Sequence, residues 1–265
     1  MNNQSGSMVC VGVGMTLGSH ICPLSRSHIE QADVVFCSMS DQYVEEWVMS
    51  MNSDVRSLQP LYSEGKDRRQ TYREMVELMM AEVRQGKKVV GAFYGHPGVF
   101  ALVPHKVIKQ AREEGFAGHM EPGVSAEDCL YADMGLDPGS HGCAHYEASQ
   151  FLMNEKCFDT TALLVLWQIG MVGDRQHKKF IADGRYRKVL QDCLLDYYPA
   201  DHQVALYEAA VLPVERVRIE WMRIDQLFEA NVYQHSTLVV PPAKKKSPDQ
   251  KIAQLMKEID QELSL

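Results

Sequence analysis

Val89-Val90-Gly91-Ala92-Phe93 is an unbroken apolar run that leads straight into Tyr94-Gly95-His96-Pro97-Gly98-Val99-Phe100. A run without polar alternation suits a strand of a parallel sheet covered on both faces, and such sheets bind ligands beyond the carboxyl ends of their strands. Tyr94, Gly95 and His96 are therefore candidates for a site. Glycine and proline after a strand also serve as plain turn formers, so the motif does not decide the matter alone.

Helical and strand patterns alternate around that run. They predict strands over 8–14, 34–39 and 55–58 and helices over 25–32, 41–51 and 67–85, the last closed by Gly86. A helix opening at Pro104 and closed by Gly115, a short strand near 119–121 and a helix over 127–134 behind Pro122-Gly123-Val124-Ser125-Ala126 continue the series. This order predicts a parallel α/β domain over residues 1–135.

Past the Gly- and Pro-containing stretch 135–142 the pattern changes. Strands are expected over 161–169, 203–210, 214–224 and 236–240 and a helix over 184–198; the stretch 214–224 alternates apolar with polar as a half-exposed antiparallel strand does. A second, mixed-sheet α/β domain is thus expected over 136–243. Residues 244–265 begin with Lys244-Lys245-Lys246 and carry a helix whose Ile252, Leu255, Met256, Ile259 and Leu263 form one apolar stripe, expected to pack on the body of the same chain.

Several functions are disfavoured at this level. A formal net charge of -8 argues against nucleic acid as the main partner. No apolar run reaches the roughly 18 residues that span a bilayer, and the first residues lack the regions of a secretion signal, so a cytoplasmic chain is expected. Seven scattered cysteines without a CxxC spacing fit reduced thiols. His141, Cys143, His145 and Glu147 share parity, yet donors two apart on one strand close a tetrahedron poorly, and no metal site is expected. Gly12 and Gly14 have dinucleotide spacing, but Gly18 comes one residue late and Pro23 precedes any helix, which disfavours a nicotinamide cofactor.

Taken together, Val11-Gly12-Val13-Gly14, Gly95-His96-Pro97-Gly98-Val99-Phe100, Pro122 to Ala126, a strand ending in Gln168, the tyrosine-led stretch at Tyr207 and Ser236-Thr237 ahead of the last strand resemble the tetrapyrrole-methylase superfamily of S-adenosylmethionine (SAM) methyltransferases. Within it, the stretches 66–75, 93–100 and 120–143, with 146–152 following, look specifically like the borosin peptide backbone α-N-methyltransferases. The resemblance implies a two-domain fold with SAM in the cleft between domains. By position it implies cofactor contacts from His96, Val99, Phe100, Ser125, Ala126, Gln168, Tyr207, Ala209, Ser236 and Thr237. Val99, Phe100, Ala126 and Ala209 would serve equally as core residues of any α/β protein, whereas Gln168, an amide in an apolar run, needs a partner if buried.

The implied chemistry is demanding. A peptide nitrogen gives its lone pair to resonance and holds its proton tightly, so methylation needs a base and stabilisation of the imidate oxygen. Arg68 and Tyr72 lie four apart on the helix over 67–85 and share a face, with Met75, Val76 and Met79 continuing the stripe inward. A guanidinium beside a phenol favours tyrosinate. The resemblance carries Tyr62, Arg68, Tyr72 and Tyr94 over as the catalytic set: Tyr72, helped by Arg68, as proton acceptor or imidate stabiliser, with Tyr62 and Tyr94 positioning the amide. Which phenol takes the proton is open.

Fused borosin proteins carry a clasp and their own substrate segment after the methyltransferase, whereas this sequence stops about twenty residues past the expected last strand. It resembles the split type, for which the precursor peptide is supplied in trans and a homodimer would bind two peptides as a heterotetramer. A small-molecule C- or O-methyltransferase of the same superfamily is the alternative, because one fold hosts many acceptors.

Overall fold

The apolar runs of the first half pair into a parallel sheet. In the computed structural model, which describes residues 5–174 and 181–264, β1 (Ser7–Gly12), β2 (Val34–Ser38), β3 (Val55–Ser57), β4 (Lys88–Phe93) and β5 (Ala117–Glu121) stand in the order β3-β2-β4-β1-β5, all parallel. Successive residues of β1 go to opposite cores. Val9 and Val11 meet Ile29 of α1 (Pro23–Gln31) and Val44 and Val48 of α2 (Gln42–Met49). Met8 and Cys10 meet Met75, Val76 and Met79 of α3 (Arg68–Arg84) and Val103 and Val107 of α4 (Leu102–Glu113). Helices on both faces explain why the strands show no polar alternation.

Asp67 caps α3 by accepting a hydrogen bond from the Arg69 amide at 2.8 Å. The helix α4 begins at Leu102, ahead of the Pro104 at which the sequence predicts its start. First-turn amides have no partner within a helix, so a proline is tolerated at its third position as well as its first.

The second half builds a mixed sheet from β6 (Cys143–Glu147), β7 (Leu163–Trp167), β8 (Gln203–Glu208), β9 (Arg218–Arg223) and β10 (Thr237–Val240), ordered β6-β7-β10-β8-β9. Only the β6–β7 pairing is parallel. One face packs on Phe151 of α7 (Ala148–Met153) and on Leu190 and Leu194 of α8 (Gly184–Leu195). The other face, with Val165, Trp167, Ala205, Tyr207 and Val239, packs on Leu130 of α5 (Ala126–Met134). The helix α5 falls before the sequence-based boundary at 135 but covers the second sheet, and the Tyr207 hydroxyl donates to Asp133 on it at 2.7 Å.

Three expectations are corrected. The strand β6, missing from the strands expected of the second domain, is a five-residue edge strand beside the short helix α6 (Pro138–His141), too brief for its pattern to stand out. The strand expected over 214–224 starts only at Arg218, because Glu215 accepts from the amides of Val211 and Leu212 at 2.9 and 3.0 Å and holds a turn there. The stripe on α9 (Gln250–Leu263) does not pack on the body of the chain: Leu255, its least open member, is 45% exposed. Amphipathic spacing fixes that a helix has an apolar face, not what covers it. Among the described residues no helix is long and apolar enough to cross a membrane.

Candidate functional site

Three glycine-bearing loops close on each other at the carboxyl ends of β1, β4 and β5. A Cβ on Gly12 would lie 2.4 Å from the Gly95 carbonyl oxygen and 2.8 Å from the Gly123 Cα, so only glycines allow this approach of backbone to backbone. Gly14 and Gly95 exchange hydrogen bonds of 3.2 and 2.8 Å. These are the strand ends at which a doubly covered parallel sheet binds ligands.

The second sheet presents one of its ends to this place. Antiparallel pairing sets Thr237, at the start of β10, opposite Tyr207, near the end of β8, and the Ile169 amide donates to the Ser236 carbonyl at 3.0 Å. Gln168, Ala209, Ser236 and Thr237 therefore gather at a common edge. The two edges touch: the Thr16 hydroxyl donates to the Ala210 carbonyl at 3.0 Å and the Leu17 amide to the Val211 carbonyl at 2.9 Å. Phe100 meets the Trp167 ring at 5.6 Å, and an Arg68 Nη1–H points at the Met171 Sδ at 3.3 Å.

Backbone strain concentrates at the same junction. Among the described residues, Phe100 (φ 49°) and Gln168 (φ 60°) are the two non-glycine residues in the left-handed region. Such a conformation costs about 1–2 kcal/mol per residue and persists where surrounding contacts enforce it, commonly at functional sites. Both are among the residues proposed from sequence to contact a cofactor, and Phe100 keeps 48% of its surface exposed.

The other proposed contacts divide by what their side chains already do. His96 accepts from the Gly98 amide at 2.9 Å and is folded into its own loop, beside the half-buried Val99. Ser125, 6% exposed, caps α5 in a reciprocal box with Asp128, and Ala126 opens that helix. The Ser236 hydroxyl accepts from the Tyr233 amide at 2.7 Å and donates to Glu208 at 2.5 Å. Tyr207 is 1% exposed with its hydroxyl on Asp133. Ser125, Tyr207 and Ser236 thus brace the site, while Phe100, Gln168 and Ala209 stay partly open to it.

Tyr62, Arg68, Tyr72 and Tyr94, spread over 33 positions of sequence, form one interacting cluster. The Tyr62 and Tyr72 rings meet edge to face, 6.4 Å apart. Burial foremost, then the charges of Tyr72 and Tyr94, pushes the Tyr62 phenol above the ordinary range; Arg68 pulls the other way but is outweighed. Burial and then Tyr72 raise Tyr94 likewise, although solvent reaches 46% of that residue and so weakens the effect. Both phenols keep their protons at neutral pH and are hydrogen-bond donors. Lys66 ties the intervening loop, donating to the Leu61 carbonyl at 3.0 Å and to Glu74 at 2.5 Å.

Sequence reasoning missed the support behind Phe100. Trp167 donates to His145 Nδ1 at 3.1 Å, and His145 Nε2 lies 2.8 Å from the Tyr131 hydroxyl, 2.9 Å from Cys143 Sγ and 3.2 Å from Glu127. Two members of the short-spaced set His141, Cys143, His145 and Glu147 thus join this network; His141 lies in α6 instead, and Glu147 caps α7. The shared parity of Cys143 and His145 was the available signal. Nothing local marked Trp167 or Met171.

Comparison with known proteins shows the family and the fold. Residues 7–223 match the family model of tetrapyrrole (corrin/porphyrin) methylases. The chain is 41% identical over 260 residues to a methyltransferase/ribosomally synthesized cyclic peptide gymnopeptides precursor of Gymnopus fusipes, covering 94% of this chain and 60% of that one. It is 40% identical to a methyltransferase/ribosomally synthesized type I borosin cyclic peptide precursor of Coprinopsis marcescibilis, covering 95% and 65%. The chain thus spans about 60% of the length of such relatives. In fold it is similar to uroporphyrin-III-C-methyltransferase from Thermus thermophilus, with TM-score 0.62, 18% identity, and 90% and 93% of the two chains covered. Cobalt precorrin-4 methyltransferase gives TM-score 0.64 at 16% identity, with 89% and 95% covered.

Proposed function

The chain belongs to the tetrapyrrole methylase family, and from that premise we propose that it is a SAM-dependent methyltransferase acting on backbone amide nitrogens of a ribosomally made precursor peptide. The observation that carries the peptide acceptor is the cluster of Tyr62, Tyr72, Tyr94 and Arg68 at the junction of the sheets. Relatives whose names join methyltransferase to cyclic-peptide precursor support it.

The junction fits SAM by its donor set: an exposed aromatic face on Phe100, a half-buried amide on Gln168, the small Ala126 and Ala209, and glycine loops whose backbones pack without side chains. His96, Val99, Ser125, Tyr207, Ser236 and Thr237 frame it. When bound, the cofactor supplies an electrophilic methyl group.

The protein groups then have distinct tasks. Tyr62 and Tyr94, kept protonated by burial, donate hydrogen bonds to the peptide carbonyl and stabilise the imidate oxygen. Tyr72, one helical turn from Arg68, accepts the amide proton. Arg68 reaches Met171, so its guanidinium spans from the first sheet to the second. The proposed assembly is a homodimer with two peptides, working in the cytoplasm, where its cysteines stay thiols.

The test supplies isotopically methyl-labelled SAM and a separate borosin-type precursor, with fragmentation mass spectrometry locating the label. Label on backbone nitrogen is the expected result. Label on side chains only, or transfer to a tetrapyrrole acceptor and none to peptide, overturns the reading.

A further inference from the structure

We infer that His28, His119 and Glu121 form a binding site for a zinc-class divalent cation at the edge of the first sheet. The sequence scatters these residues; the fold joins them. The strand β5 is the sheet's edge and pairs only with β1, His119 opposite Val9 and Glu121 opposite Val11. Residues paired across strands share a face, and Val9 and Val11 face the core into which α1 sends Ile29. His119 and Glu121 thus emerge on the α1 side, beyond the last strand. His28 precedes Ile29 by one position and so stands at the rim of the buried face of α1, above them.

The distances suit one ion. Glu121 Oε1 lies 3.1 Å from His119 Nε2 and 3.8 Å from His28 Nε2, and the three ligand atoms all fall within 4.8 Å of one another. Metal–ligand bonds of about 2.0–2.2 Å in a tetrahedral shell separate ligand atoms by roughly 3.3–3.6 Å, so small side-chain adjustments close the set. The imidazoles stand edge to face with centroids 5.5 Å apart, which lets both point nitrogens at a shared position. Two imidazoles with one carboxylate favour zinc-class metals over magnesium, which takes oxygen ligands. Partial exposure, 28% for His28, 47% for His119 and 21% for Glu121, gives an entry path and leaves remaining positions to water.

The ion would tie α1 to a strand from which the chain runs directly into Pro122-Gly123, the loop that closes on Gly12 and Gly95. An unmetallated His–Glu pair at the surface contributes little to stability, so a zinc-dependent rise in melting temperature distinguishes the two cases.

The test uses the full chain stripped with chelator. Calorimetry is expected to give one equivalent of zinc bound and magnesium bound far more weakly; cobalt is expected to give a spectrum without a thiolate charge-transfer band. His119→Ala, at an exposed edge, and Glu121→Gln should each weaken zinc binding roughly tenfold or more and abolish the rise in melting temperature that zinc gives the parent. Cys143→Ser should change neither. His28→Ala serves in place of the strand variants if they fail to fold. The site is overturned by no saturable binding at micromolar zinc, by unchanged affinity in folded His119→Ala or His28→Ala, or by a thiolate band that Cys143→Ser removes.

Discussion

The two five-stranded sheets are each covered on both faces, yet they deliver residues to the junction by different routes. The first is all parallel, so each strand is reached by a crossover, and Tyr62, Arg68, Tyr72 and Tyr94 come from the crossover between β3 and β4 and from the end of β4. The second is mostly antiparallel, and the pairing of β10 with both β7 and β8 brings Gln168, Ala209 and Ser236 to one edge by register. The lesson is a division of labour. The parallel half carries the ionisable groups, while the mixed half contributes a strained backbone position, hydroxyls already committed to neighbours, and the methionine that receives Arg68.

That division breaks most sharply at Tyr72. Tyr72→Phe keeps the ring but removes the proposed proton acceptor, and a loss of roughly 100- to 10,000-fold in single-turnover methylation is expected with SAM affinity unchanged. Parent-like turnover in Tyr72→Phe, Tyr62→Phe and Tyr94→Phe would mean that the first sheet does not carry the chemistry. Arg68→Lys keeps charge but loses the planar fork; its turnover, measured alongside, separates geometry from charge.

Leu130→Ala probes the seam. Leu130 is fully buried between α5 and the second sheet, and its truncation is expected to cost about 2–5 kcal/mol in urea unfolding. A loss near zero would show that α5 is not needed on that sheet.

Gln168→Gly tests the mixed half directly. It relieves about 1–2 kcal/mol of left-handed strain against about 0.5–1 kcal/mol of added backbone freedom in the unfolded chain, so stability should hold or rise. SAM affinity, by calorimetry, should fall roughly tenfold, about the weight of one hydrogen bond. A marked loss of stability with intact affinity would make Gln168 structural.

The smallest effect concerns pH. Tyr62 has its phenol raised in the folded state, so the folded chain holds a proton that the unfolded chain releases near pH 10. Stability linked to this group is therefore complete below that pH and declines as pH rises further. Tyr62→Phe should flatten the decline in urea midpoints above pH 10; an identical slope would remove Tyr62 from the buried set.

Much of this was legible from the chain. The run Val89 to Phe93 announced a doubly covered parallel strand because no polar face interrupts it, and it is one. The positions of Tyr62, Arg68, Tyr72 and Tyr94 came from motif resemblance, with helical spacing placing Arg68 and Tyr72 on one face. Periodicity could not show that α5 changes sheets or that the α9 stripe stays exposed, because a face declares its polarity and not its partner.

The sequence by itself determined most of the elements, their order, the glycines at the strand ends and the family, since these rest on local backbone preference and on short-range strings. The tertiary structure decided the rest, because through-space distances do not follow from separation along the chain. It set Phe100 and Gln168 in left-handed backbone on opposite sides of one junction. It raised the phenol of Tyr62 by burying it, an effect that outweighs the opposite pull of Arg68. And it brought His28 beside His119 and Glu121, which only the packing of α1 against an edge strand can do.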